Sequence, residues 1–268
     1  MKALFTALLV FAIAQPALAQ WDLLKKGATM ARAMTRDFTE EEEIAIGRIV
    51  AARVLATYPL SEDKAMQRYV SLVGETVAAY SDRPGLDWHF AVLDTPVVNA
   101  FSCPGGYIFI TEGALAQISS EAELAVVLGH EIAHATEKHI LKEVKRANVV
   151  GEGMNIAQSE LGGGGMSDAL ARKVSDLAYQ KLFNTGIGRK EELASDRIGV
   201  ELAAAAGYRS AAYVNFLEGL QALAAAKSSS FAQLGSTHPG PDDRLNSVRP
   251  LLSDSGQLLA DRWEKRAR

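Results

Sequence analysis

The pentapeptide His130-Glu131-Ile132-Ala133-His134 constrains this chain more than any other feature. On a helix, two imidazoles four residues apart lie on one face, one turn apart, where both can ligate a single tetrahedral metal ion. The surroundings specify that helix. Ser120 and Glu123 form a capping-box pattern, and Leu124, Val127, Leu128 and Ile132 recur at helical spacing. Glu131 follows the first imidazole, so its carboxylate reaches a water on the metal rather than the metal itself. The competing reading is a chance pair of surface histidines on a polar helix.

A catalytic zinc keeps three protein ligands and one open position. A histidine six residues after His134 would fall at Ile140, and His139 misses by one, which excludes the metzincin spacing. A carboxylate from a later helix remains, and residues 191–196 (Glu-Glu-Leu-Ala-Ser-Asp) supply one with a partner. Glu192 and Asp196 stand one helical turn apart, so Glu192 can bind metal while Asp196 accepts the distal N–H of a ligating histidine. That spacing selects Glu192 over Glu191. An acidic helix start taken alone would be a dipole effect.

Elsewhere the pattern is helical with a little strand. Thr39 can cap a helix whose first turn is Glu40 to Glu43, and a second helix is expected from Glu62 to Tyr80. Trp88 to Leu93 and Tyr107 to Ile110 read as short strands, the latter entered through Pro104-Gly105-Gly106. Further helices are expected around Ser167 to Phe183, Glu191 to Ala206 and Ala211 to Ala226. The fold class is therefore α+β, predominantly helical, with a small sheet beside the motif helix. The glycine run 162–165 is a loop, read as a surface insertion in preference to a lid.

The first residues depart from this pattern. Lys2, an uncharged apolar run to Ala14 and Ala17-Leu18-Ala19 make a secretory leader over residues 1–19, with the mature chain starting at Gln20. The run is interrupted by Gln15 and Pro16 and is too short to span a bilayer. Residues 20–37 read as a linker, 38–252 as the catalytic domain and 253–268 as a short charged tail. A formal net charge of -4 provides no basic patch, which sets nucleic acid aside as a partner. Cys103 is the only cysteine and reads as a buried small side chain rather than a nucleophile.

The chain resembles the zinc metallopeptidase family that includes HtpX, BepA and the prenyl-protein (CAAX) proteases. The resemblance covers nearly the whole mature chain. It rests on Glu43-Ile44-Ala45-Ile46-Gly47, Asn99-Ala100-Phe101, Pro104-Gly105-Gly106-Tyr107-Ile108, the His130 to His134 motif, Glu192 with Asp196, and Ser236-Thr237-His238-Pro239 with Arg244. It implies one zinc ion per chain on His130, His134 and Glu192, a base at Glu131, roles behind the ligands for Asp196 and Arg244, and a His238 that approaches the metal. His238 would either occupy the open position or hydrogen-bond the oxyanion. The resemblance also implies a gluzincin fold whose edge strand, expected at Tyr107, Ile108, Phe109 and Ile110, pairs with extended substrate. Ser195 departs from the family, which usually has alanine there, and Cys103 is not called for by the motif.

These readings lead to a periplasmic zinc endopeptidase that degrades misfolded or unassembled envelope proteins, expected to be a stand-alone domain with no membrane anchor after leader removal. The alternative is a zinc-stabilised module that holds client proteins without cutting them. Glu131 favours the enzyme, because a structural zinc needs neither a base nor an open position.

Overall fold

The structure is a computed structural model describing residues 37–151 and 168–267. The leader over residues 1–19, nearly all of the 20–37 linker and the glycine run 162–165 lie outside the described residues.

Helix α1 (Glu40–Thr57) starts where the sequence places it. The Thr39 side chain accepts from the Glu42 N–H and the Glu42 carboxylate accepts from the Thr39 N–H, a complete capping box. Helix α2 (Lys64–Ala78) is capped by Asp63, which accepts from the Ala65 and Met66 N–H groups. The strands β1 (His89–Leu93), β2 (Ala100–Cys103) and β3 (Tyr107–Thr111) follow, with a tight turn at Pro104–Gly106. Their order is β1-β3-β2, with β1 parallel and β2 antiparallel to β3.

This order corrects the expected edge strand. Tyr107 to Ile110 belongs to the central strand, hydrogen-bonded on both sides, and β2 is the outer strand next to the motif helix. Sheet faces explain the uniformly apolar β3. Ile108 and Ile110 pack with α2 residues and the motif helix, whereas Phe109 joins the core built with α1. A strand covered on both faces needs no polar alternation.

After the one-turn helix α3 (Glu112–Leu115) comes α4 (Glu121–Thr136), capped by Ser120, with every residue from Glu121 to Ala135 buried. It is a core helix, enclosed by α2, the sheet and the later helices. Helices α5 (His139–Gly151) and α6 (Asp168–Gln180), a π-turn at Lys181–Thr185, α7 (Arg189–Ala205), α8 (Tyr213–Ala225), α9 (Ala232–Thr237) and α10 (Pro241–Val248) complete the body. The segment read as a charged tail is a second correction. Helix α11 (Ala260–Ala267) docks on the start of α4, where Trp263 is buried and donates to the Ile118 carbonyl at 2.9 Å. Arg262 pairs with Glu121, which also accepts from Tyr69 and Tyr208. The packed body therefore extends past residue 252.

Candidate metal centre

Helices α4 and α7 cross in direct backbone contact, and glycines allow it. A Cβ on Gly129 would lie 2.8 Å from the Gly199 carbonyl oxygen, and one on Gly199 would lie 2.6 Å from the His130 nitrogen. The crossing sets the first turn of α7 against the motif. Glu192 faces inward, 1 % exposed, while Glu191 turns out to Arg146 at 2.9 Å. Of the two glutamates, Glu192 is the one that faces the imidazoles.

His130 Nε2 and His134 Nε2 lie 3.0 Å apart. Glu192 places Oε2 3.6 Å from His130 Nε2 and Oε1 3.6 Å from His134 Nε2. His238, just beyond the end of α9, sets its Nε2 3.5 Å from Glu192 Oε2, and its Nδ1 lies 3.0 Å from the Thr237 hydroxyl. The backbone there is fitted to Gly186, whose φ of +68° and absent side chain let Thr237 approach.

His130, Glu192 and His238 offer donor atoms all within 4.8 Å of one another, His134 Nε2 adjoins the first two, and the set has the chemistry of a zinc site. Nitrogen and oxygen ligands at about 2.0–2.1 Å in a tetrahedron stand about 3.3 Å apart, and the observed spacings of 3.0, 3.5 and 3.6 Å straddle that value. Glu192 Oε2 is buried with no hydrogen-bond partner, an arrangement costly for a carboxylate lacking a cation. Burial, with lesser repulsion from Glu131, pushes the Glu192 carboxyl well above its ordinary range, although Arg244 opposes the shift. Burial likewise raises Glu131 to about 8. A cation among these groups would favour both charged carboxylates. His134 and His238 are driven well below the usual imidazole pKa, by burial first and then by neighbouring positive groups, so both stay neutral and fit to ligate.

Asp196 acts behind this cluster. Its Oδ1 lies 2.8 Å from His130 Nδ1 and accepts that proton, which leaves Nε2 unprotonated. Arg244 from α10 grips the same carboxylate through Nε and Nη2, the latter at 2.7 Å, and Tyr213 at the start of α8 donates to it at 2.7 Å. Burial resists ionisation of Asp196, but the charges of Arg244 and then His130 overcome it and hold the carboxyl far below the usual range. The result is a fixed anion.

His139 and Ser195 also belong to the site. Helix α4 ends with Lys138 in the left-handed region at φ 53°, its ammonium paired with buried Glu43 at 2.8 Å. The chain reverses there, and His139 comes to lie under His134, Nδ1 to Nδ1 at 3.1 Å. Ser195 Oγ stands 3.3 Å from His139 Nδ1. Burial, then Lys142, lowers the His139 pKa to about 4. The sequence contains a signal for this contact, the histidine one residue away from a familiar ligand position.

Glu131, His134, Glu192 and His238 open onto a pocket whose other wall includes Phe101 and Ser102 of β2. Tyr107 to Ile110 do not line it. Cys103 is fully buried, which pushes its thiol pKa far up and makes it inert. The Glu43-Ile44-Ala45-Ile46-Gly47 and Pro104-Gly105-Gly106 segments meet behind the pocket. Glu43 accepts the Gly105 N–H at 3.2 Å, and a Cβ on Gly47 would strike the Pro104 carbonyl at 1.9 Å.

A family model described as Peptidase family M48 matches residues 64–251. The chain is 28% identical over 219 residues to the beta-barrel assembly-enhancing protease of Yersinia pestis, covering 78% of this chain and 43% of that protein. It is 24% identical over 226 residues to the protein of that name in Escherichia coli strain K12, covering 81% and 46%. Against the mitochondrial metalloendopeptidase OMA1 of Arabidopsis thaliana it is 34% identical over 147 residues, covering 55% and 28%. The chain thus spans less than half the length of these three relatives. The family match takes in more than half of the chain, from α2 through the segment carrying His238 and Arg244, and the chain belongs to Peptidase family M48.

Proposed function

We propose that this chain is a zinc-dependent endopeptidase of the cell envelope, acting on unfolded or misassembled proteins. The observation that carries the reading is the buried, unpartnered Glu192 carboxylate oxygen facing the Nε2 atoms of His130 and His238, with Glu131 beside it in the pocket. His130, His134 and Glu192 are the zinc ligands in this proposal. Zinc, when bound, supplies Lewis acidity that makes water nucleophilic near neutral pH.

The residues of the chain do the rest. Glu131 takes the proton of the attacking water and returns it to the leaving amine. Asp196, locked by Arg244 and Tyr213, keeps His130 in the tautomer whose Nε2 is free. His238 Nε2 stands as near to Glu192 as the two motif imidazoles do, which favours the reading that it fills the fourth corner at rest and moves aside for substrate.

Extended substrate would align along β2, the outer strand bordering the pocket. Main-chain pairing reads backbone rather than side chains and suits clients of varied sequence. Two relatives are named for β-barrel assembly, and unassembled barrels expose strand edges able to pair in this way, which makes them the client class we favour. Periplasmic location and the 1–19 leader remain part of the proposal, alongside the absence, among the described residues, of any helix long and apolar enough to cross a membrane.

Incubating the purified chain with unfolded casein, with and without a zinc chelator, tests the proposal. Chelator-sensitive cleavage supports it. A zinc-loaded protein that delays casein aggregation without cutting would replace the protease with a client-holding module.

A further inference from the structure

His130 and His134 are treated differently by the fold. Asp196 holds the far nitrogen of His130, as in other carboxylate-supported metal sites. His134 Nδ1 meets another imidazole instead, His139 Nδ1 at 3.1 Å. All three rings are buried.

The proton count decides what this contact does. For His134 Nε2 to carry a free lone pair toward Glu192 and His130, the ring proton must sit on Nδ1. A buried N–H needs an acceptor, and His139 Nδ1 supplies one when its own proton is on Nε2. Ser195, from the second turn of α7, places its hydroxyl oxygen 3.3 Å from that same Nδ1, farther than His134 at 3.1 Å; the single lone pair goes to the His134 N–H, and Ser195 steadies the ring by contact. The two rings stand at 74° to each other with centroids 5.0 Å apart, an edge arrangement rather than a stack.

We propose that His139 is a positioning residue, accepting the Nδ1–H of His134 so that His134 Nε2 is held unprotonated and aimed at the metal position, with Ser195 steadying His139 from the helix that carries Glu192. Three elements converge on this contact. Helix α4 contributes His134, the left-handed turn at Lys138 delivers His139, and α7 contributes Ser195. The two imidazoles of the motif therefore have supports of different chemistry, a carboxylate behind one and a neutral ring behind the other. This inference rests on the zinc reading above.

The test compares zinc affinity, measured by competition with a chromophoric chelator, and the absorption spectrum of the cobalt-substituted protein in three variants. His139→Leu keeps bulk and removes the acceptor. Its expected zinc affinity is 10–100-fold weaker, the range for losing such support, with an altered cobalt spectrum. His139→Asn puts an amide oxygen near the Nδ1 position and should restore affinity to within about threefold of the unaltered chain. His139→Gln carries its amide one bond farther out, so it should resemble the leucine variant. Leucine and unaltered chains of equal affinity would overturn the proposal, and so would asparagine and glutamine variants that are equally weak. The asparagine and glutamine pair decides the matter if the leucine variant does not fold. An unaltered chain that binds no zinc refutes the metallopeptidase reading instead, an outcome distinct from these.

Discussion

Gly199→Ala should loosen the candidate metal centre from a distance, because the α4–α7 crossing is what brings Glu192 to the two imidazoles. The added Cβ would stand 2.6 Å from the His130 nitrogen and 2.9 Å from the Gly129 carbonyl carbon. The first distance is ~0.8 Å inside the 3.4 Å where ordinary contact begins, and its neighbours are backbone atoms that cannot rotate away. Helix α7 must retreat by about that amount, at an overpacking cost of about 1–3 kcal/mol. At about 2–4 °C per kcal/mol for a domain of this size, the metal-free protein should melt about 2–12 °C lower. The same retreat carries Glu192 away by more than the ~0.2 Å that metal–ligand distances tolerate, so zinc affinity should fall on the order of tenfold or more. Gly219→Ala is the control, since a Cβ there meets nothing within 4 Å and gains helix propensity. Melting and chelator-competition measurements on both variants check the argument. If Gly199→Ala melts lower but binds zinc as tightly as the control, the crossing is only structural and does not position Glu192.

Glu131→Gln should keep zinc at one per chain and lose on the order of 10²–10⁴ in peptide cleavage, read by metal analysis alongside casein turnover. Glu192→Ala should lose metal while Glu191→Ala keeps it, since Glu191 pairs outward with Arg146; the reverse pattern would reassign the third ligand. For His238→Ala, basal cleavage should rise several-fold with zinc retained, whereas a fall of about 10²-fold would give His238 an oxyanion role instead. Glu43 tests acid stability. Burial raises its carboxyl pKa, but Arg83 and Lys138 outweigh burial and set it below the ordinary glutamate value of 4.5. A lowered folded pKa stabilises the fold above the unfolded pKa, and this contribution is lost as pH falls through the folded one. Glu43→Gln should therefore cost on the order of 1–3 kcal/mol at pH 7 and progressively less below about pH 4. A melting difference that does not change with pH would contradict this.

The legible parts of the site are those whose geometry is local. His130, Glu131 and His134 are related by helical periodicity alone, and so are Glu192 and Asp196, which is why spacing separates Glu192 from Glu191. Strand order is not local. Ala100-Phe101-Ser102-Cys103 has no β-branched residue, and its extended state comes from pairing with β3, so the outer strand had no signature of its own. The five apolar or β-branched residues Tyr107–Thr111 already suit a strand covered on both faces, and that pattern favours a central place over an edge. A charged composition hid the docking of α11, where one buried tryptophan and the Arg262–Glu121 pair hold an otherwise exposed helix.

Glycine positions carried the information that periodicity could not. The candidate metal centre needs α4 and α7 closer than side chains permit, and Gly129 and Gly199 meet that need from two distant places in the sequence. Gly129 directly precedes His130. Gly199 is three residues after Asp196, on the same α7 face one turn along. A glycine in a helix interior costs up to about 1 kcal/mol relative to alanine, so its presence beside each ligand group calls for a compensating contact. Here that contact is the other helix, and it converts two locally specified half-sites into one cluster of facing donors. Tyr213 and Arg244 then act on a geometry already established, holding Asp196 against His130 from helices that carry no ligand in the motif itself.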